Sequence, residues 1–312
     1  MTLELLCIRI SQLATCITAW WMFHNALEDS ADKEKLTFAG MAVYMLLPAH
    51  VNMAWNNRDW TQIMIWMLVP FAAVMLLRLK KATTWAGKIG YGIMAAGGIG
   101  IIGRKDGVAY LILLFLLVVA GICQKQWLYP LAGILGMVLA YPTFYVWKYW
   151  LFDGAFAESG LEYTSIMEQG YSIGGLFSTY FHRDGHPGMG ILLIAVLLVP
   201  VYAAFVKKIS VFNRKDAVLL GTAVLLTAMS LRYFPWDFVQ RLGSWALGLV
   251  TLIQTPAVFF YYAQMVLCVW GVEKCGEVIA AMRRNEDDII RNKRNEGNEV
   301  CDVEENRQDL AG

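Results

Sequence analysis

The chain has 312 residues, 58% of them hydrophobic and only 16% charged, with a formal net charge of +1. A mean hydropathy of +0.48 excludes an ordinary soluble domain and marks an integral membrane protein. Backbone groups in hydrocarbon must bond internally, and the apolar runs lack period-two alternation. The predicted fold is therefore all-α, a polytopic transmembrane bundle of about nine spans over residues 1–272.

The first span covers residues 3–23 and lacks the basic flank, short apolar region and cleavage site of a signal peptide, so a retained helix is expected. Arg9 lies inside it, where an unpaired charge costs about 2.5–3.5 kcal/mol at mid-membrane, and it is expected to snorkel or to face a polar interior. A polar connector over residues 24–36 leads to a second span at 37–55, interrupted by Pro48 and His50. After the turn Asn56-Asn57-Arg58-Asp59-Trp60 comes a third span at 60–77, then the basic group Arg78, Lys80, Lys81 and Lys88. Spans four and five, at 89–102 and 107–123, flank a tight GRKDG turn; the glycines of span four suit close helix packing.

Span six, 128–152, ends in an aromatic cluster suited to a membrane interface. The long polar loop 153–189 follows, then span seven at 190–206, a basic connector, and span eight at 217–233. Over residues 235–252 the residues Phe238, Leu242, Trp245 and Leu249 recur on one face, with Gln240, Arg241, Ser244 and Gly248 on the other. That pattern predicts an amphipathic helix lying along the membrane surface, opened by Pro235 with Asp237 in its first turn. A last span starts near Pro256 and runs into a charged tail, 273–312, expected to be partly disordered: its first half can extend the helix, and the remainder lacks the apolar surface to fold. The six cysteines show no CxxC pairing and read as buried apolar residues or free thiols. Walker, GxSxG and HExxH patterns do not occur.

Lysine and arginine asymmetry places the connectors at 78–88 and 207–215, with the tail, in the cytoplasm. The loop 153–189 is then outside. The outer connectors supply the candidate site: Asp59, Asp184 and Asp237 as catalytic acids, with Arg58, His182, Arg183, His186, Arg241 and Gln254 as substrate-binding groups. Arginines at headgroup level beside an interfacial helix suit a lipid-linked anionic substrate, because a guanidinium pairs with phosphate through forked hydrogen bonds. His182, Asp184 and His186 admit a divalent cation, although no metal set is specified. Each group also has a plainer role: a surface turn for the histidines, headgroup anchoring for the arginines, a structural interfacial helix for 235–252. Arg58, Asp59, His182, Asp184, His186, Asp237 and Gln254 are expected to gather around one outer cavity.

Three segments occur in a telling order: Pro48 to Gln62, with His50, Asn52 and the NNRDW turn; Gly170 to Gly190, ending His186-x-Gly188-Met189-Gly190; and Phe234-Pro235-Trp236 followed by Ile253-Gln254-x-Pro256. Together they resemble the bacterial YfhO-like family of multi-spanning membrane proteins, whose architecture is of the GT-C glycosyltransferase type. The resemblance covers roughly residues 3–260. It implies a multi-pass protein of the bacterial cell membrane that transfers sugar from a polyprenyl-phosphate carrier to a cell-envelope acceptor on the outer face. Membrane lipid and the lipid-linked sugar are the implied partners, and no nucleic acid is expected. In that family an acid of the first outer loop acts as base or binds a metal, and later loops hold the lipid phosphate. The chain departs from it in lacking the amino-terminal span and that large loop, and in having Ala257 and Val258 where tryptophan and arginine are usual. A truncated, split or inactive member is the corresponding expectation. An envelope polysaccharide polymerase or ligase, and a non-catalytic transporter or flippase, are the alternative readings.

Overall fold

The computed structural model describes residues 3–28, 30, 32–57, 60–138, 170–178, 187–207, 212–243, 250, 253 and 256–309. Side chains are described at all of these except 3, 4, 56, 57, 60, 61, 105, 214, 240 and 286–309. Among the described residues the regular structure is helical, apart from one isolated parallel bridge between Tyr171 and Leu231.

The exposed side chains of the first helix, α1 (Leu3–Ala26), explain what kind of bundle this is. Leu6, Ile10, Leu13, Ile17 and Trp20 are exposed at intervals of four and three, while Ile8, Thr15, Ala19, Met22 and Phe23 on the other side are buried. An exposed stripe of isoleucine and leucine five residues long would be an aggregation surface in water; in hydrocarbon it is the outer face of a helix whose inner face packs. The buried face carries one hydroxyl, Thr15, which donates to the Ser11 carbonyl at 2.8 Å, so no polar group is stranded there. Trp85, Ile89, Ile93 and Ile101 repeat the exposed pattern on α5 (Trp85–Lys105).

Between them, α2 (Lys33–Met45) and α3 (Pro48–Asn52) form a pair bent by 50°. Pro48 sits in the first turn of α3, where its missing N–H costs nothing. A π-helical turn, Met53–Asn57, continues it, and α4 (Trp60–Lys81) follows. Then come α6 (Gly107–Gln124), capped by the Asp106 carboxylate accepting from Ala109 N–H at 3.0 Å, and α7 (Leu128–Val138). The remaining elements are α8 (Ile173–Leu176), α9 (Ile191–Phe205), α10 (Arg214–Ser230), α11 (Trp236–Gln240) and α12 (Ala257–Asp309). α1 packs most extensively on α4, and α4 on α5; α12 packs on α9 and α10 and reaches α2 and α6.

Side-chain links identify two poles. At one, Lys81 pairs with Glu28, joining the ends of α1 and α4, and Arg283 pairs with Asp32 at 2.5 Å, tying α12 to the start of α2. At the other, Arg9 lies 4.3 Å above the Trp55 ring, and Gln62 donates to Asp106 at 3.4 Å. Arg9 is thus exposed near the end of its helix and engaged by an aromatic ring and by Gln12, at 2.8 Å. The first pole carries Lys35, Lys80, Lys81, Lys88, Lys125, Lys207 and Lys215, and is called the basic pole below.

Four helices, Leu5–Ala26, Gln62–Lys81, Trp85–Arg104 and Gly107–Gln124, are long and apolar enough to cross a membrane, and the bent pair makes a fifth. The protein is therefore multi-pass, with four to five such spans among the described residues against about nine expected. The shortfall has physical causes. α9 has 15 residues, about 22 Å at 1.5 Å per residue, short of a hydrocarbon core of about 30 Å. α10 begins with Arg214, Lys215 and Asp216, and the expected sixth span is described only to residue 138. Two further expectations differ from the structure. The segment 235–252 is not one amphipathic helix: α11 ends at Gln240, and Gly243 adopts φ 138°, a conformation that ends a right-handed helix. The tail is helical to Asp309, because a charged helix satisfies its own backbone hydrogen bonds without burying an apolar face.

Candidate functional site

Of the nine groups named from sequence, Asp237 and Arg241 are described. Arg58, Asp59, His182, Arg183, Asp184, His186 and Gln254 lie outside the described residues, as does the convergence expected of them. What the structure does show is how the far pole holds the two ends of each segment that carries them.

The first device is an aromatic clasp built from the Phe234-Pro235-Trp236 and Ala257 to Phe260 segments. Trp236 is 2% exposed, its ring 4.6 Å from Phe234 and 5.8 Å from Phe259. Pro235 fixes the turn that starts α11, where its carbonyl accepts from Phe238 N–H at 3.1 Å. With Trp236 turned inward, Asp237 and Phe238 are turned out and exposed, and Arg241, four residues beyond Asp237, is exposed on the helix cap. Residues four apart share a helical face, so the two exposed groups belong to one side of the turn. Phe238 and Leu242 are 66% and 51% exposed, an apolar rim around the charged pair.

The second device ties down the long loop. Tyr171, 2% exposed, donates its hydroxyl to the Pro187 carbonyl at 2.6 Å, and its ring meets Phe260 edge-on at 4.9 Å. Its backbone pairs with Ser230 and Arg232 at 2.9 and 3.0 Å. Gln264, fully buried, donates to the Gly188 carbonyl at 3.0 Å. Met189 N–H donates to Leu176 O at 2.8 Å and Gly190 N–H to Ser178 O at 3.3 Å, so residues 178 and 187 are brought together. Ser178 and Pro187, the described residues on either side of His182, Asp184 and His186, are therefore held at the Tyr171 anchor, whose ring meets Phe260.

A third polar centre, which the sequence analysis missed, lies at the basic pole. Lys274 is 1% exposed, and its ammonium donates to Asp216 Oδ2 at 3.0 Å and to both Glu277 oxygens at 2.8 and 2.7 Å. Asp216 also accepts from the Trp270 indole at 3.0 Å and from Asn213 N–H at 2.7 Å, closing a capping box at the start of α10. Burial alone would push the Lys274 ammonium down, but Glu277 and Asp216 outweigh it and hold it above the ordinary lysine value. One signal was available: Asn213-x-x-Asp216 reads as a capping box, and Lys274 with Glu277 follows directly on the apolar run ending at Val272. The site clamps α10 to α12 and offers no open coordination position.

Among the described residues no group of three or more His, Cys, Asp or Glu side chains is placed to hold a metal ion. The candidate ligands His182, Asp184 and His186 are not among them. His50 is buried, with Nδ1 on the Met45 carbonyl at 2.9 Å and no partner for Nε2 among the described residues. Cys7, Cys16, Cys123, Cys268 and Cys275 are free thiols. No protein-family profile, curated protein or solved structure matches the chain.

Proposed function

We propose that the chain is a glycosyltransferase-like protein of the bacterial cell membrane, moving sugar from a polyprenyl-phosphate carrier to an envelope acceptor at the face opposite the basic pole. The observation carrying this reading is the clasp. Phe234 to Trp236, one half of the segment pair that resembles the YfhO-like family, packs through Trp236 on Phe259, three residues beyond the Pro256 that ends the other half, and leaves Asp237 and Arg241 exposed. Positive charge concentrated at the other pole supports the orientation.

In this reaction an acceptor hydroxyl attacks the anomeric carbon, the bond from that carbon to the phosphate oxygen breaks, and the lipid phosphate leaves as an anion. Asp237 takes the hydroxyl proton, and Arg241 pairs with the departing phosphate. The exposed Phe238 and Leu242 give the polyprenyl chain an apolar shelf beside both groups. A second reading, a lipid flippase, draws on the bent α2–α3 pair with its buried, half-partnered His50, since broken helices mark transport pathways.

Purified protein in liposomes, supplied with radiolabelled polyprenyl-phosphate sugars and envelope acceptor extract, tests both. Label appearing in acceptor, lost in Asp237→Asn and reduced in Arg241→Gln, supports transfer. Movement of labelled carrier between leaflets without transfer supports the flippase and rejects the transferase. Activity unchanged in Asp237→Asn rejects the site.

A further inference from the structure

The bend between α2 and α3 carries the sequence His50-Val51-Asn52-Met53, in which a spacing of three residues puts an imidazole and a thioether on one helical face. The backbone is helical throughout: α3 ends at Asn52, and Met53, the first residue of the π-helical turn, has φ −63° and ψ −38°. Both side chains are buried, His50 at 1% and Met53 at 6% exposure. Helical side chains lean toward the amino terminus, so Met53 leans back over His50.

Each of the two donors is held by a further group. His50 Nδ1 lies 2.9 Å from the Met45 carbonyl, and a carbonyl only accepts, so Nδ1 carries the hydrogen. In the neutral ring the lone pair is then on Nε2, which is buried and has no hydrogen-bond partner among the described residues. A metal-bound imidazole is held in the same way: its other nitrogen donates to a carbonyl, which fixes the tautomer and the plane of the ring. Met53 Sδ accepts from the Trp66 indole N–H at 3.1 Å, which spends one sulfur lone pair and leaves the second. The Trp66 ring also lies 5.4 Å from the imidazole, and the Tyr44 hydroxyl donates to the Trp66 carbonyl at 3.1 Å. One seated indole thus touches both donors.

We infer that His50 Nε2 and Met53 Sδ bind one monovalent soft cation, of the Cu(I) and Ag(I) class. Bonds of about 2.1 Å to nitrogen and about 2.3 Å to sulfur put the donors about 4.4 Å apart on a line. That is inside the separation of about 5–6 Å between Cβ atoms three residues apart on a helix. Thioether sulfur selects Cu(I) over harder ions, and imidazole suits copper. Zinc asks for four donors, and among the described residues no three His, Cys, Asp or Glu side chains converge. Both donors are neutral, so a monovalent ion buries one charge where a divalent ion buries two, and the neighbouring indole ring attracts a cation. The site is independent of the transfer proposed at Asp237 and Arg241.

The test uses the full chain in detergent with its six cysteines replaced by alanine, because thiols compete for the same ions. Silver nitrate is the probe, with Cu(I) kept reduced by ascorbate as the second, and retained metal is counted by mass spectrometry after equilibrium dialysis. One Ag(I) per chain is expected, with one nitrogen and one sulfur neighbour in X-ray absorption and a raised unfolding temperature. Met53→Leu keeps the bulk of the side chain and removes the sulfur, and His50→Gln removes the imidazole. Each is expected to weaken silver binding at least about tenfold, or 1.4 kcal/mol, and to abolish the thermal shift. Met53→Leu keeps the test decisive where His50→Gln does not fold. No retained silver, which leaves Nε2 to a buried water, overturns the inference. So do retention unchanged in Met53→Leu, a silver site with sulfur neighbours only, and Zn(II) retained as tightly as Ag(I).

Discussion

Lys274→Met removes the cation from the clamp between α10 and α12 while keeping a flexible apolar stem in its place. In the wild type the ammonium is 1% exposed and holds Asp216, itself 5% exposed, at 3.0 Å. Breaking a buried pair by deleting one partner costs about 3–5 kcal/mol, because the other charge is left without its counter-ion. Here Asp216 keeps the Trp270 indole and Asn213 N–H as donors, and Glu277, 41% exposed, can turn to water, so the lower limit of about 3 kcal/mol is expected. The double variant Lys274→Met/Asp216→Asn has no stranded charge and keeps the capping oxygen, and should cost about 1 kcal/mol. The double variant is thus expected to be more stable than the single one. Denaturant unfolding in mild detergent, followed by far-ultraviolet circular dichroism, measures both, with exposed Lys80→Met as the control. The Lys274 shift is upward, so the charged form persists in both folded and unfolded chains below about pH 10; the penalty should not change between pH 6 and 9. A single variant within about 0.5 kcal/mol of wild type, or a double variant worse than the single, would refute the account.

Trp236→Ala should cost about 3 kcal/mol and loosen the far pole, raising protease cleavage after Arg241. Trp236→Phe should cost less than half as much, because the indole N–H has no partner among the described residues to lose. For Glu273, whose carboxyl is raised above its ordinary value of 4.5, the folded chain binds more protons than the unfolded one as pH rises from 4.5, so stability falls through that window. Glu273→Gln should abolish this slope and be the more stable protein at pH 8, read by thermal unfolding across pH 4–8; a slope unchanged by the substitution assigns it to another group. Cysteines placed at Gly185 and Asn295 in a cysteine-free background report topology in intact cells: label at 185 and protection at 295 is expected, and the reverse inverts the bundle.

Hydropathy made most of the bundle legible because a helix that contacts lipid must be apolar on every side, and that signal survives without knowledge of packing. Leu6, Ile10, Leu13, Ile17 and Trp20 face outward and Ile8, Ala19 and Phe23 inward, yet all eight contribute equally to the apolar run. For the same reason the sequence cannot divide the inner face from the outer one, and it overcounts spans where apolar helices are short, as in α9. The segment 235–252 failed differently. Its apolar residues do recur at helical intervals, but Trp236, one position before Asp237, is the residue that packs, held by Phe234 and Phe259 from another part of the chain. Periodicity reads only local order, and this helix was cut short by a tertiary contact and by Gly243.

The polar centre at the basic pole escaped notice because its members look like boundary charges. Asp216 and Lys274 flank apolar runs, where a carboxylate caps one helix and a lysine is expected to reach water. In the fold these two borders lie against each other, 54 residues being bridged by the Trp270 to Asp216 bond, and a charge that had an aqueous exit acquires a buried partner instead. Such a pair is weak as a source of stability but demanding in geometry, since either charge alone is penalised. It therefore fixes the register of α10 against α12. The far pole is fixed by aromatic packing around Trp236 and Phe260, which tolerates small adjustments. The register-setting clamp and the adaptable clasp sit at opposite ends of the apolar first part of α12, about four turns apart, so a substitution at one is expected to leave the other's chemistry intact.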